Sequence, residues 1–166
     1  MVLVVSGVAG SGKTMIGRML AERLDVPYAE ADDFHSEANR LRMAAGLPLS
    51  DDDRQPWLAA ICDWIAQRLE ADESGVVTCS ALKRSYRKRL AMPGVKLVFL
   101  KVDRETIDSR LEERRGHFFP AALAASQFQM LEEPGPDEDV LVVDGSRPPA
   151  EVVSQILAGV AVRSKP

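Results

Sequence analysis

Met1-Val-Leu-Val-Val-Ser6 runs directly into Gly7-Val-Ala-Gly-Ser-Gly-Lys-Thr14, and this junction decides the fold. The first six residues form an uncharged, β-branched run of the kind that makes a buried strand. Behind Thr14, Met15, Ile16, Met19, Leu20 and Leu24 recur at helical spacing. Strand, glycine-rich loop and helix stand in the order that a phosphate-binding loop requires, and Gly7, Gly12, Lys13 and Thr14 satisfy G-x-x-x-x-G-K-[ST]. The residue types follow from the chemistry. Glycine lets successive backbone N–H groups of Gly7, Val8, Ala9, Gly10, Ser11 and Gly12 turn inward around an anion. The helix N-terminus adds its positive dipole end. Lys13 supplies a point charge to the β- and γ-phosphates of a nucleotide, and the Thr14 hydroxyl can ligate Mg²⁺.

Working outward, the pattern repeats. Pro27 ends the first helix, and Tyr28 to Ala31 reads as a short strand closing in Glu30-Ala-Asp-Asp33. A helix over Phe34 to Ala45 is expected, with Asp33 able to cap it and Gly46 at its C-terminus. Ser50 or Asp51 opens a longer helix whose Trp57, Leu58, Ile61, Trp64, Ile65 and Leu69 form a core-facing stripe. Further strands are expected over Val76 to Cys79, Lys96 to Val102 and Asp139 to Val143. Helices are expected over Arg84 to Leu90, Arg104 to Arg115, Ala121 to Leu131 and Pro149 to Val162. The strands are mostly continuous apolar runs, which marks a parallel sheet covered on both faces. Right-handed crossovers then predict a three-layer, doubly wound α/β domain with five parallel strands spanning residues 1–166.

Bulk properties narrow the function. The 166 residues carry a net charge of −4, which argues against general nucleic-acid or anionic-membrane binding. Charge is uneven, however: Cys79 to Phe118 holds eleven Lys/Arg against five Asp/Glu. Solvated helix faces explain such a run, and so does a surface facing anionic substrates. Cys62 and Cys79 have no metal-ligand spacing and read as small buried hydrophobes. No leader precedes the first strand and no apolar run spans a bilayer, so a reducing, cytoplasmic setting is expected.

In a parallel sheet the groups following each strand share one edge. Asp32 follows the second strand and is the candidate to orient or deprotonate an attacking hydroxyl, with helix capping as its alternative. Glu30 is placed to hold Mg²⁺ directly or through water. His35 beside Asp32 suits a polyol contact or a helix-start hydrogen bond. Arg54 suits either an ion pair with Asp51 to Asp53 or a fork for a carboxylate. Ser80 and Lys83 follow the third strand. Arg110, Arg114 and Arg115 flank Gly116 in a helix break that reads either as a mobile lid, closed by His117, Phe118 and Phe119, or as an ordinary basic helix C-terminus.

These segments together resemble the small gluconate kinases, ATP:D-gluconate 6-phosphotransferases of the shikimate-kinase-like P-loop group. The resemblance rests on the Gly7 to Thr14 loop, Asp32-Asp-Phe-His35, Gly46-Leu-Pro-Leu-Ser-Asp-Asp-Asp-Arg-Gln-Pro-Trp-Leu58, Cys79-Ser-Ala-Leu-Lys-Arg-Ser-Tyr-Arg87, Gly116-His-Phe-Phe119, Ser126-Gln-Phe128, Leu131-Glu-Glu-Pro134 and Val143-Asp144. Ser36 and Arg42 stand where that family usually has proline and often lysine. The resemblance implies MgATP-dependent phosphorylation of gluconate and a lid over about residues 110–127. It implies that Glu30 and Asp32 serve Mg²⁺ and the acceptor hydroxyl, and that Arg54 holds the substrate carboxylate. Ser80, Lys83, Arg115 and Gln127 would line the acceptor side; Arg110 and Arg114 would meet the nucleotide. Many members are dimeric. A kinase acting on another hydroxy acid such as shikimate is the nearest alternative, and a nucleotide-dependent switch the alternative of a different class.

Overall fold

The computed structural model describes residues 1–113 and 121–163. Five parallel strands lie in the order β2-β3-β1-β4-β5: β1 Val2–Ser6, β2 Tyr28–Glu30, β3 Gly75–Cys79, β4 Val95–Lys101 and β5 Val140–Asp144. Between them run α1 Lys13–Leu24, α2 Glu37–Ala44, α3 Asp51–Glu70, α4 Arg84–Leu90, α5 Arg104–Glu113, α6 Ala121–Met130 and α7 Pro149–Arg163. Among the described residues no helix is long and apolar enough to cross a membrane.

The strict two-residue period of β1 divides the core. Val2 and Val4 face α3 and α4, packing with Ile61, Ile65, Leu90 and Phe99. Leu3 and Val5 face α1 and α7, packing with Ile16, Leu20, Ile156 and Val160. A sheet apolar on both faces has to be covered on both, which is why the strands read as unbroken hydrophobic runs. A third cluster sits at the carboxyl edge, where Val8, Leu82, Val102, Ile107 and Ala124 seat α5 and α6 against the glycine-rich loop.

Two local features depart from the sequence reading. β2 ends at Glu30 because Ala31–Phe34 winds into a 3₁₀ turn. α2 begins at Glu37, and its cap is Ser36, whose Oγ accepts from the Asn39 N–H at 3.2 Å; Asp33 does not cap it. Serine in place of the family's proline therefore has a local role. Gly46 does follow α2 at φ +72°, where its N–H and that of Leu47 close the helix end. α3 opens with a reciprocal capping box between Ser50 and Asp53.

β3 lies between β1 and the edge strand β2. Gly17 on α1 closes the resulting gap. A Cβ there would overlap Thr78 Cγ2 and stand 2.9 Å from Tyr28 Cε2, so only glycine lets α1 approach β3 and β2 this closely. That approach brings the start of α1 to the end of β2.

Candidate active site

The loop after β1 has the shape of an anion cradle. Gly7, Gly10 and Gly12 take positive φ values of 150°, 79° and 95°, conformations that L side chains resist. Gly12 occupies the N-cap of α1 with no side chain bonded to the helix end, which leaves the first-turn N–H groups facing outward. Lys13 Nζ donates to the Val8 carbonyl at 2.9 Å, and the Ser11 hydroxyl is buried without a partner among the described residues. Burial pushes the Lys13 ammonium below its usual range, against the raising influence of Asp32 and then Glu30.

Thr14 and Glu30 form the second corner. Thr14 Oγ1 donates to Glu30 Oε2 at 3.0 Å. Two further hydroxyls aim the same carboxylate: Tyr28 OH donates to Oε2 and Thr78 Oγ1 to Oε1, each at 2.6 Å. The two hydroxyl oxygens lie 2.9 Å apart and each directs its proton at Glu30. Burial, then the bond to Glu30, pushes the Tyr28 phenol up to about 12, so it remains a donor. Among the described residues no group of three or more His, Cys, Asp and Glu could hold a metal. A single carboxylate beside a hydroxyl still fits Mg²⁺, which keeps waters and phosphate oxygens as most of its ligands.

The third corner opens into a cavity of about 360 Å³, lined by Lys13, Asp32, His35, Arg54, Ser80 and Gln127 among others. Burial raises the Asp32 carboxyl, Lys13 opposes that shift, and Glu30 and Asp33 add to it. His35 lies parallel to Trp57, with centroids 4.7 Å apart and planes 3° off, and the Trp57 indole N–H is fixed to the Ala31 carbonyl at 2.7 Å. Burial, then Arg54 and Arg40, pushes the imidazole down to about 4, so it is neutral; its Nδ1 is buried without a partner among the described residues. Among the described residues the His35 side chain makes no helix-start hydrogen bond; Ser36 caps α2 instead.

Arg54 does not pair with the aspartates that precede it. Asp53 is taken by Arg42 at 3.1 Å, and Arg54 Nη1 rests on Met130 Sδ at 3.0 Å, inside the cavity. Lys83 behaves in the opposite way. Its ammonium grips both Asp51 oxygens at 2.8 and 2.7 Å, Tyr86 OH donates to the same carboxylate, and Tyr86 rather than Lys83 lines the cavity. Buried Cys79 is pushed up to about 12 by burial and stays a thiol.

Arg110 spans two loops, donating to the Gly10 carbonyl at 3.4 Å and the Gly145 carbonyl at 3.0 Å. It borders a second hollow, on the far side of the glycine-rich loop, with Gly145, Arg147 and Pro149. Gln127 Oε1 accepts from the Ala9 N–H at 2.7 Å. Arg114, Arg115, Gly116, His117, Phe118 and Phe119 lie outside the described residues. Sequence reasoning missed Tyr28, Thr78 and Tyr86 and gave Trp57 to the core alone. Thr78 carries a signal, being the one polar residue within Val76-Val-Thr-Cys79 and fully buried.

The arrangement matches known proteins along its length. The family model described as shikimate kinase matches residues 9–161. A gluconokinase of Gluconobacter oxydans is 44% identical over 157 residues, spanning 93% of this chain and 88% of its own. The thermoresistant gluconokinase of Escherichia coli is 40% identical over 159 residues, spanning 94% and 91%. A crystal structure of a gluconokinase from Sinorhizobium meliloti superposes with a TM-score of 0.88 at 43% identity, covering 98% of this chain and 92% of that one. Shikimate kinase of Aquifex aeolicus shares the fold at a TM-score of 0.67 and 18% identity.

Proposed function

The chain belongs to the gluconokinases, within the shikimate-kinase group of P-loop kinases, and we propose in detail how it phosphorylates D-gluconate with ATP. The reading is supported above all by one juxtaposition: Lys13, Asp32 and the Arg54 guanidinium border one cavity. A phosphate-gripping cation, a carboxylate and a carboxylate-binding fork are what an acid-substituted alcohol needs from its kinase.

Backbone amides of the Gly7 to Thr14 loop other than that of Ala9, which Gln127 engages, hold the phosphates together with Lys13. The hollow at Arg110, Arg147 and Pro149 takes the adenine end. Thr14 and Glu30 would hold Mg²⁺, which would supply positive charge to offset that of the phosphates. Arg54 grips the gluconate carboxylate, and neutral His35, with Ser80 and Tyr86 nearby, contacts the hydroxyls of the chain. Asp32 aligns the 6-hydroxyl and accepts its proton. The bond from that oxygen to the γ-phosphorus forms, the bond to the β–γ bridging oxygen breaks, and ADP leaves. Such a reaction asks for positioning and preset charge more than for covalent chemistry. Lys83 shapes the acceptor wall by holding Asp51. Arg114 and Arg115 join the nucleotide and acceptor sides respectively, and two such chains pair as a homodimer in a cytoplasmic setting.

The test is ATP consumption with a panel of sugar acids and shikimate, run on wild type and Asp32→Asn. Gluconate is expected to be the preferred acceptor. Removing the proton acceptor is expected to lower kcat by about 10²–10⁴-fold while binding of a non-hydrolysable ATP analogue stays within a few-fold. Because burial raises the Asp32 carboxyl, the wild-type rate should climb with pH through a midpoint above the usual carboxylate range, and Asp32→Asn should lack that limb. Turnover with shikimate but not gluconate would overturn the acceptor assignment.

A further inference from the structure

Gln127 makes a contact that fixes the direction of its side chain. A backbone N–H can only donate, so the 2.7 Å bond from Ala9 identifies the carboxamide arm facing the loop as oxygen. Nε2 is then the other arm, and no described residue accepts from it. Gln127 also lines the cavity that holds Lys13 and Asp32.

Its position is held by more than one hydrogen bond. Ala124, one turn earlier on α6, is 1% exposed and packs with Val8, Leu82, Val102 and Ile107. The peptide unit that Gln127 grasps is also the one that Lys13 grasps. Lys13 Nζ sits on the Val8 carbonyl edge at 2.9 Å, and Gln127 sits on the Ala9 N–H edge. The catalytic lysine and the lid helix are therefore registered to one rigid amide plane.

We propose that Gln127 has two roles in the kinase reaction described above. Oε1 docks α6 on the phosphate loop, and Nε2 donates to an equatorial oxygen of the phosphoryl group in transit. The reaction balance is unchanged: the acceptor oxygen gains the γ-phosphorus, the bridging oxygen leaves with ADP, and the hydroxyl proton goes to Asp32. A neutral, pre-aimed amide stabilises the charge spread over the equatorial oxygens without adding a second proton to move. The inference rests on the kinase reading, because only a transferring phosphoryl group gives Nε2 its acceptor.

Gln127→Glu and Gln127→Ala separate the roles. Glutamate keeps an oxygen for the Ala9 N–H and loses the donor; alanine loses both. Steady-state kinetics are run beside calorimetric binding of a non-hydrolysable ATP analogue and of ADP with tetrafluoroaluminate plus gluconate, which mimics the phosphoryl group in flight. Both variants are expected to lose about 10²-fold in kcat, the scale of one lost oxyanion donor. Gln127→Ala is expected to bind the ATP analogue within about threefold of wild type but the aluminate complex far more weakly, as differential binding requires. Near-wild-type turnover by Gln127→Glu would show that the docking oxygen suffices and would overturn the donor role. So would equal weakening of both complexes in Gln127→Ala. Wild type that phosphorylates none of the acids would sink the kinase reading itself, a result distinct from either.

Discussion

Thr14 and Glu30 meet at 3.0 Å across a gap that two other hydroxyls, Tyr28 and Thr78, close from behind. The carboxylate is thus aimed at the mouth of the phosphate loop by protons from the strand floor. Partners that orient a metal-binding carboxylate matter nearly as much as the carboxylate itself.

Thr78→Val tests that arrangement, because valine keeps the shape and removes the hydroxyl. The Mg²⁺ concentration giving half-maximal rate is expected to rise about tenfold, the lower end for loss of such a partner. The KM for gluconate should move little. A Mg²⁺ titration that matches wild type would remove Thr78 from this role.

His35 makes a separate, pH-dependent contribution. Its folded pKa of about 4 lies below its ordinary 6.5, so between those values the unfolded chain takes up a proton that the folded one refuses. The stability it permits is complete above pH 6.5 and falls away as pH drops toward 4. His35→Phe keeps a ring against Trp57 and cannot titrate. Urea midpoints measured from pH 4 to 7 should fall less steeply for the variant, and parallel profiles would refute the neutral, buried imidazole.

The sequence made the parallel sheet, the loop and the alternation of strands with helices legible because each rests on local pattern: an apolar run, a glycine motif, a turn. Arg54, in the first turn of α3, owed its expected role to the family resemblance alone, while Glu30 and Asp32 were legible as edge groups, since polar groups closing parallel strands share an edge. The partners of these groups were not. Nothing near Lys83 or Arg54 says that the first pairs with Asp51 while the second turns inward to Met130; that choice is made by the crossing of α3 with α4 and α6. The basic stretch from Cys79 onward was ambiguous for the same cause. Part of it is neither bare surface nor phosphate-facing: Arg84, Arg87 and Lys101 pair with Asp137, Glu138 and Glu133 of the acidic loop after α6.

Those three pairs are not equivalent, and the difference is measurable. Arg87 is 1% exposed and meets Glu138 through two bonds of 2.8 and 2.9 Å, while its remaining arm holds the carbonyls of Ala81 and Leu82. It therefore fixes the loop carrying Ser80, at a point where Ala81 adopts φ +39°. Arg84 and Asp137 are both more than half exposed. Arg87→Met leaves the Glu138 charge unmatched in a largely buried place and is expected to lower stability by about 3–5 kcal/mol. Arg84→Met removes an exposed pair and should lower it by less than about 1 kcal/mol. Adding Glu138→Gln to Arg87→Met is expected to recover part of the loss, because the stranded charge goes with it. Surviving Arg87→Met protein should also show a raised KM for gluconate with a smaller change for ATP, since the loosened loop borders the acceptor side. Equal denaturation midpoints for Arg87→Met and Arg84→Met would show that the buried pair anchors nothing.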